Sequence, residues 1–211
     1  MQRQKNDAGH LILFTRLPLA GKAKTRLIPA LGAEGAALLQ QRMSEAAFAT
    51  LGAGADRTGA SLEVCFHGGD EKVMRQWLPG ADRYTAQGDG DLGDKLTRAV
   101  AAAVARKRRP VIVIGADCPA LTPDHLIAAF AALTDHDLVL GPAADGGYYL
   151  IGLQRLQAGL FADIPWSTPH VLHETLARAN ALGLHHRLLE TLPDVDRPED
   201  LPHLGHHPDA Q

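Results

Sequence analysis

Short continuous apolar runs alternate along this chain with longer segments in which apolar residues return every three or four positions. The runs are "HLILFT" (10–15), "SLEVCF" (61–66), "PVIVIG" (110–115), "DLVLGP" (137–142), "GYYLIGL" (147–153) and "HRLLE" (186–190). Their brevity and β-branched content predict strands buried on both faces. Between them, Leu39, Met43, Ala46 and Thr50 mark a helix over 33–51, and "EKVMRQWL" (71–78) predicts a short one stopped by Pro79 and Gly80. Leu92, Leu96, Val100 and Val104 form one stripe of a third helix. "TPDHLIAAFAAL" (122–133) opens with Thr122 as N-cap and Pro123 in the first turn, and "STPHVLHETLARANALG" (167–183) repeats that signal at Thr168 and Pro169 before ending at Gly183.

Alternating strands and helices predict an α/β protein, a three-layer α/β/α sandwich around a mainly parallel sheet. "DLVLGP" and "GYYLIGL" are too close for a crossover helix, so one of them is expected to run antiparallel. Neither a low-complexity linker nor an internal repeat divides the chain. A single domain over 1–211 is expected, with an ordered core over about 10–202, a polar N-terminal tail and a histidine-rich C-terminal tail.

Composition narrows the class. The 211 residues are 45% hydrophobic and 21% charged, as in a soluble globular domain. A net charge of -3 gives no general field for nucleic acid or an anionic membrane surface. Cys65 and Cys118 lie far apart in apolar contexts and read as reduced thiols, which together with the absence of a signal-peptide pattern predicts a cytoplasmic protein. No run is long enough to span a bilayer.

Against that weak overall charge, one local feature stands out. "RLPLAGKAKTRL" (16–27) follows the first strand and crowds Arg16, Lys22, Lys24 and Arg26 into one loop. Open α/β sheets bind ligands beyond the carboxyl ends of their strands. Further polar stretches fall at such ends: "GADCP" with Asp117, "AADGGYY" with Asp145, Gly146 and Gly147, and "DVDRPED" with Asp196. The acidic loop "QGDGDLGDK" carries Gln87, Asp91 and Asp94 into the third helix. Each stretch alone also reads as turn or cap residues, with Asp196 capping a terminal helix at Pro198. Together they place cations and paired carboxylates on one face. Cations can hold phosphates, and two carboxylates can hold Mg²⁺ or Mn²⁺, which neutralises charge on a leaving group. Trp166 reads equally as an apolar wall of such a pocket or as a core residue. The pairs at His185–His186 and His206–His207 lack zinc-site spacing, and His203, His206 and His207 are expected in a solvated tail.

"LFTRLPLAGKAKTRL", "IGADCPALT", "DGGYYLIGL", "DIPWSTPHVL" and "DVDRPEDL" resemble the motifs of the bacterial DUF2064 family over roughly residues 11–201. That family is classed with the nucleotide-diphospho-sugar transferases of GT-A fold, and some members are labelled glycosyltransferases of arsenosugar biosynthesis. The chain is more distantly similar to nucleotidyltransferases such as 2-phospho-lactate and molybdenum-cofactor guanylyltransferases. The resemblance implies a metal-dependent transferase using an NDP-sugar or NTP donor and a small-molecule acceptor. Arg16, Lys22, Lys24 and Arg26 would contact phosphates, Asp117 and Asp196 would hold the metal, and Leu13 and Phe14 would lie beside the base; apart from the resemblance, Gln87, Asp91 and Asp94 read as contacts for a base or an acceptor. Lys24 and Asp145 are the expected catalytic residues, Asp145 on the acceptor side. The loop has one glycine, Gly21, where guanylyltransferase openings are glycine-rich, so it leaves triphosphate and diphosphate-sugar donors both open. The other class of reading is a non-catalytic nucleotide-binding protein that keeps the fold.

Overall fold

The computed structural model describes residues 8–157 and 159–206. Its centre is a 7-stranded sheet in the order β3-β2-β1-β4-β6-β5-β7. The strands are β1 (His10–Arg16), β2 (Ser61–His67), β3 (Arg83–Ala86), β4 (Val111–Ile114), β5 (Leu138–Pro142), β6 (Tyr148–Leu153) and β7 (His186–Leu188). Strands β1, β2, β3 and β4 pair in parallel, and β5 pairs with β7 in parallel. Strand β6 is antiparallel to both of its neighbours, β4 and β5. The expected reversal is therefore met by "GYYLIGL", and β4, β5 and β7 share one direction. The α/β architecture is the one the alternation predicts.

The helices are α1 (Ile28–Thr58), α2 (Glu71–Trp77), α3 (Leu92–Ala105), α4 (Pro123–Ala132) and α5 (Val171–Ala181). They cover the two faces of the sheet with separate apolar layers. One layer joins Leu11, Leu13, Val64, Ile112 and Leu126, and the other joins Ile12, Leu96, Val100, Val113 and Ile151. The alternation of Leu11 and Leu13 against Ile12 is the two-residue period of a strand buried on both sides.

Three elements depart from expectation. Helix α1 runs on past 51 to Thr58, where tertiary packing overrides its glycines, while at its other end Gly32 (φ 71, ψ 168) breaks it into a first turn and a main helix that starts near the expected residue 33. At Gly54 a Cβ would meet Leu126 Cδ1 at 2.5 Å, so the missing side chain lets α1 lie close on α4. Strand β3 was not legible, being four residues of mixed polarity at the sheet edge. Helix α5 begins at Val171, and Thr168 does not cap it: its Oγ1 donates instead to the Pro165 carbonyl, 2.7 Å away. Thr122 does precede α4 as expected, with Pro123 in the first turn. No described helix is long and apolar enough to cross a membrane.

The described C-terminal residues form a 3-10 helix, Pro198–His206, at the terminal-helix signal around Pro198. His203 is exposed, as the sequence reading has it, and borders the cavity described below. His207 and residues 1–7 lie outside the described residues. Cys65 and Cys118 are buried free thiols, and burial pushes both upward, Cys65 to about 12.

Candidate active site

The carboxyl ends of β1, β4, β5 and β7 open onto one cavity of about 920 Å³. The parallel relation of β4, β5 and β7 makes this possible, since it brings the segments after them to the same edge. The backbone N–H of Val195 donates to the carbonyl of Asp117 at 2.9 Å. Asp117, just past β4, and Asp196, beyond β7, are thereby tied into adjacent positions although they are far apart in sequence.

The basic loop closes over these carboxylates. Lys24 donates from Nζ to Asp117 Oδ1 at 2.7 Å and to the Val195 carbonyl at 2.6 Å. Its side chain is 3% exposed, whereas that of Asp117 is 54% exposed. Arg26 donates from Nη1 to Asp196 Oδ2. That pair is open to solvent on both sides. Arg16 donates to the Lys22 carbonyl at 3.0 Å, which folds the loop back on itself. Arg16, Lys22, Lys24, Arg26 and His67 line the cavity together with Asp117, Asp145, Asp194 and Asp196, so cations and carboxylates share its wall. Partial burial and the charges of Arg16 and Lys95 hold His67 below the ordinary imidazole range.

Asp145 occupies the loop between β5 and β6. Its Oδ1 accepts from Gly147 N at 2.8 Å, and its own N–H donates to Asp194 Oδ1 at 3.3 Å. Gly146 has φ +90, and a Cβ there would lie 2.2 Å from the Pro169 carbonyl oxygen. Its own carbonyl accepts from Leu172 N at 2.9 Å, so the loop is clamped to the start of α5. Asp194, which the sequence reading did not single out, is raised to about 6 by burial and by the charge of Asp145. The only sequence signal for it was membership of the "DVDRPED" cluster.

The remaining expected residues divide. Phe14 and Gln87 line the cavity. Gln87 also donates from Nε2 to the carbonyls of Cys65 at 3.0 Å and Thr15 at 3.3 Å, which joins the ends of β1 and β2. Leu13 is fully buried in the core, so its side chain cannot meet a base. Its neighbour Phe14 faces the other way, as strand geometry requires. Asp91 and Asp94 are also not at the site: they form the capping box of α3, Asp94 N donating to Asp91 Oδ1 at 2.8 Å. Asp196 accepts no bond from the first turn of the C-terminal 3-10 helix; instead Asp200, inside that helix, reaches back to accept from the backbone N–H groups of Asp196 and Arg197. Trp166 lines the cavity and meets Tyr148 edge-on, with ring centroids 6.4 Å apart.

Among the described residues no group of three or more His, Cys, Asp or Glu side chains is arranged to hold a metal ion. Asp117 and Asp196 nevertheless fit Mg²⁺ or Mn²⁺. They are hard oxygen donors, few in number and partly open to solvent, and such ions take the rest of their shell from phosphates and water.

Comparison with known proteins agrees with the fold. A crystal structure from Desulfovibrio desulfuricans G20, provisionally named a nucleotide-diphospho-sugar transferase, is 28% identical with a TM-score of 0.87, over 97% of this chain and 89% of that one. The 4-diphosphocytidyl-2C-methyl-D-erythritol synthase of Anaerococcus prevotii DSM 20548 is 9% identical with a TM-score of 0.59, covering 97% and 99%. Glucosyl-3-phosphoglycerate synthase of Mycobacterium tuberculosis, solved with Mn²⁺, UDP and glucosyl-3-phosphoglycerate, is 13% identical with a TM-score of 0.52, covering 96% and 81%. The fold is thus that of the GT-A-like nucleotidyl- and glycosyltransferases. No curated protein matches the sequence. The profile of DUF2064, described as uncharacterized protein conserved in bacteria, matches residues 50–168, more than half of the sequence, and the chain belongs to that family.

Proposed function

We propose that this protein is a divalent-metal-dependent transferase acting on a nucleotide-activated donor. One observation carries the reading: Asp117 and Asp196 emerge at the same sheet edge, each paired with a cation of the loop after β1, inside one large cavity. Opposed charges gathered at the ligand-binding edge of an α/β sheet are the groups that phosphate chemistry uses. Its relatives in fold include a synthase named for a cytidine diphosphate product and a glucosyl synthase solved with Mn²⁺ and UDP.

Arg16, Lys22 and Arg26 would hold donor phosphates, with Arg16 and Arg26 suited to bidentate contacts. Phe14 and Gln87 would border the base. Asp117 and Asp196 would hold Mg²⁺ or Mn²⁺, which when bound neutralises charge on the phosphates. Asp145 would face the acceptor and orient its hydroxyl. No covalent intermediate is needed, because positioning and charge compensation can supply much of the rate. Two reactions fit this arrangement. In one, an acceptor oxygen attacks the α-phosphorus of an NTP and pyrophosphate leaves. In the other, it attacks the anomeric carbon of an NDP-sugar and the NDP leaves. Loop cations beside carboxylates that would hold a metal favour a polyphosphate, and both donors have one.

The test is a panel of NTPs and of NDP-sugars with Mg²⁺, Mn²⁺ or EDTA. Pyrophosphate or NDP release that needs the metal and is lost in Asp117→Asn is the expected result. Metal-independent nucleotide binding with no turnover of any donor would instead favour a non-catalytic nucleotide-binding protein.

A further inference from the structure

Among the loop cations, Lys24 is unlike the others. Its ammonium is almost wholly buried, while Arg16, Lys22 and Arg26 are exposed. Its backbone sits in the left-handed region at φ 43, ψ 49, an uncommon conformation for a residue with a side chain. The turn is closed behind it by Leu27 N donating to the Lys24 carbonyl at 2.9 Å. This backbone sends the side chain inward, where Nζ meets Asp117 Oδ1 at 2.7 Å and the Val195 carbonyl at 2.6 Å. Three segments distant in sequence are thus joined at one nitrogen: the loop after β1, the end of β4 and the strand-end segment after β7.

We infer that Lys24 is a positioning residue for Asp117 and the 194–196 segment, and not a contact for donor phosphate. The inference rests on the transferase reading above and divides the cations within it. Arg26 pairs directly with Asp196 in a half-exposed position and can turn to a phosphate by rotating its side chain. Lys24 would have to leave two hydrogen bonds, strand the Val195 carbonyl and expose a desolvated pocket to do the same. Strained backbone at a site persists where the surroundings over-determine it, and here three segments do so. The role explains why a cation stands beside a carboxylate that would hold a metal: it fixes Oδ1 of Asp117 while the side chain stays 54% exposed to the cavity.

A mutant cycle separates the two roles. Nucleotide affinity is measured by calorimetry for Lys24→Met, Asp117→Asn and the double variant, using ADP, GDP, CDP and UDP with and without Mn²⁺. If Lys24 acts through Asp117, Lys24→Met lowers the Mn²⁺-dependent gain in affinity about tenfold, and adding it to Asp117→Asn costs nothing further. If Lys24 holds phosphate, the double variant loses another factor of about ten over Asp117→Asn alone, with or without Mn²⁺, and the inference is overturned. Should Lys24→Met not fold, labelling of the wild-type protein with acetic anhydride decides the point. Lys24 should label about tenfold more slowly than Lys22 in the free protein, as a buried group that needs local opening. Labelling at the Lys22 rate, with protection appearing only on nucleotide addition, would overturn the assignment. Failure of the wild-type protein to bind any of those nucleotides would refute the transferase reading itself, and the labelling rate in the free protein would still report on Lys24.

Discussion

Replacing each of the two central carboxylates by its amide should separate their stability role from their binding role. In Asp117→Asn the amide oxygen can still accept from Lys24 Nζ, but the ionic partner of a nearly buried ammonium is gone. A hydrogen bond to a charged group contributes about 1.5–3 kcal/mol, and the half-exposed carboxylate is screened, so the loss should be about 1 kcal/mol. For a chain of this size that lowers Tm by about 2–4 °C. Asp196→Asn breaks a pair exposed on both sides and should cost about 0–1 kcal/mol. Both variants therefore remain folded under assay conditions. Nucleotide binding in Mn²⁺ should respond very differently. Changes to residues merely behind metal ligands cost about 10–100-fold in affinity, and loss of a ligand should cost at least as much. Differential scanning fluorimetry gives the first quantity and calorimetry with a nucleoside diphosphate and Mn²⁺ the second. Wild-type metal-dependent affinity in either variant would remove that residue from the metal site. A drop in Tm above about 10 °C in Asp196→Asn would show that its role is structural.

Other expectations follow from the same contacts. Arg16→Ala with Lys22→Ala should weaken nucleotide binding and flatten its salt dependence with little change in Tm; an unchanged salt response would exclude both as phosphate contacts. Asp145→Asn should keep donor affinity and lower turnover, whereas a large loss of Mn²⁺ affinity would move Asp145 to the metal. Gly146→Ala drives a Cβ to 2.2 Å from the Pro169 carbonyl at φ +90 and should cost roughly 2–4 kcal/mol, read as a Tm lower by about 5–12 °C; a wild-type Tm would contradict the clamp on α5. At the opposite end of the sheet Glu63 is buried, yet bonding from His10 at 2.9 Å and the charge of Arg106 outweigh burial and hold its carboxyl below the ordinary range. A depressed folded pKa adds stability above the unfolded value of about 4.3 that is lost as pH falls through the folded one, so Tm should fall below about pH 4. Glu63→Gln should flatten that slope, and an unaltered slope would assign it to other groups.

What could be read from the chain was whatever local pattern determines. The apolar runs gave the order of the main strands, and the close spacing of "DLVLGP" and "GYYLIGL" foretold a reversal. The convergence of Asp117 and Asp196 followed from the strand-end rule once their strands ran the same way. Other features depend on contacts that spacing does not encode. Strand β3 is held by pairing with β2, not by its own polarity pattern. Leu13 and Phe14 are equally apolar, and only the facing of β1 puts them in opposite core layers, with Phe14 alone reaching the edge of the cavity. Asp91 and Asp94 look like ligands in a glycine-rich loop, yet they satisfy the first turn of α3. Asp194 owes its raised carboxyl to burial and to the charge of Asp145, 49 positions away. The burial of Lys24 among four loop cations was likewise invisible before the loop had a fold.

The most direct test of the central claim is the position of a bound metal. Crystals grown with Mn²⁺ and a nucleoside diphosphate can be measured for manganese anomalous scattering. The account predicts one peak within coordination distance of carboxylate oxygens of both Asp117 and Asp196, with the diphosphate on the side of Arg16, Lys22 and Arg26. A diphosphate bound in the cavity with manganese elsewhere, or touching only one of the two carboxylates, would contradict it.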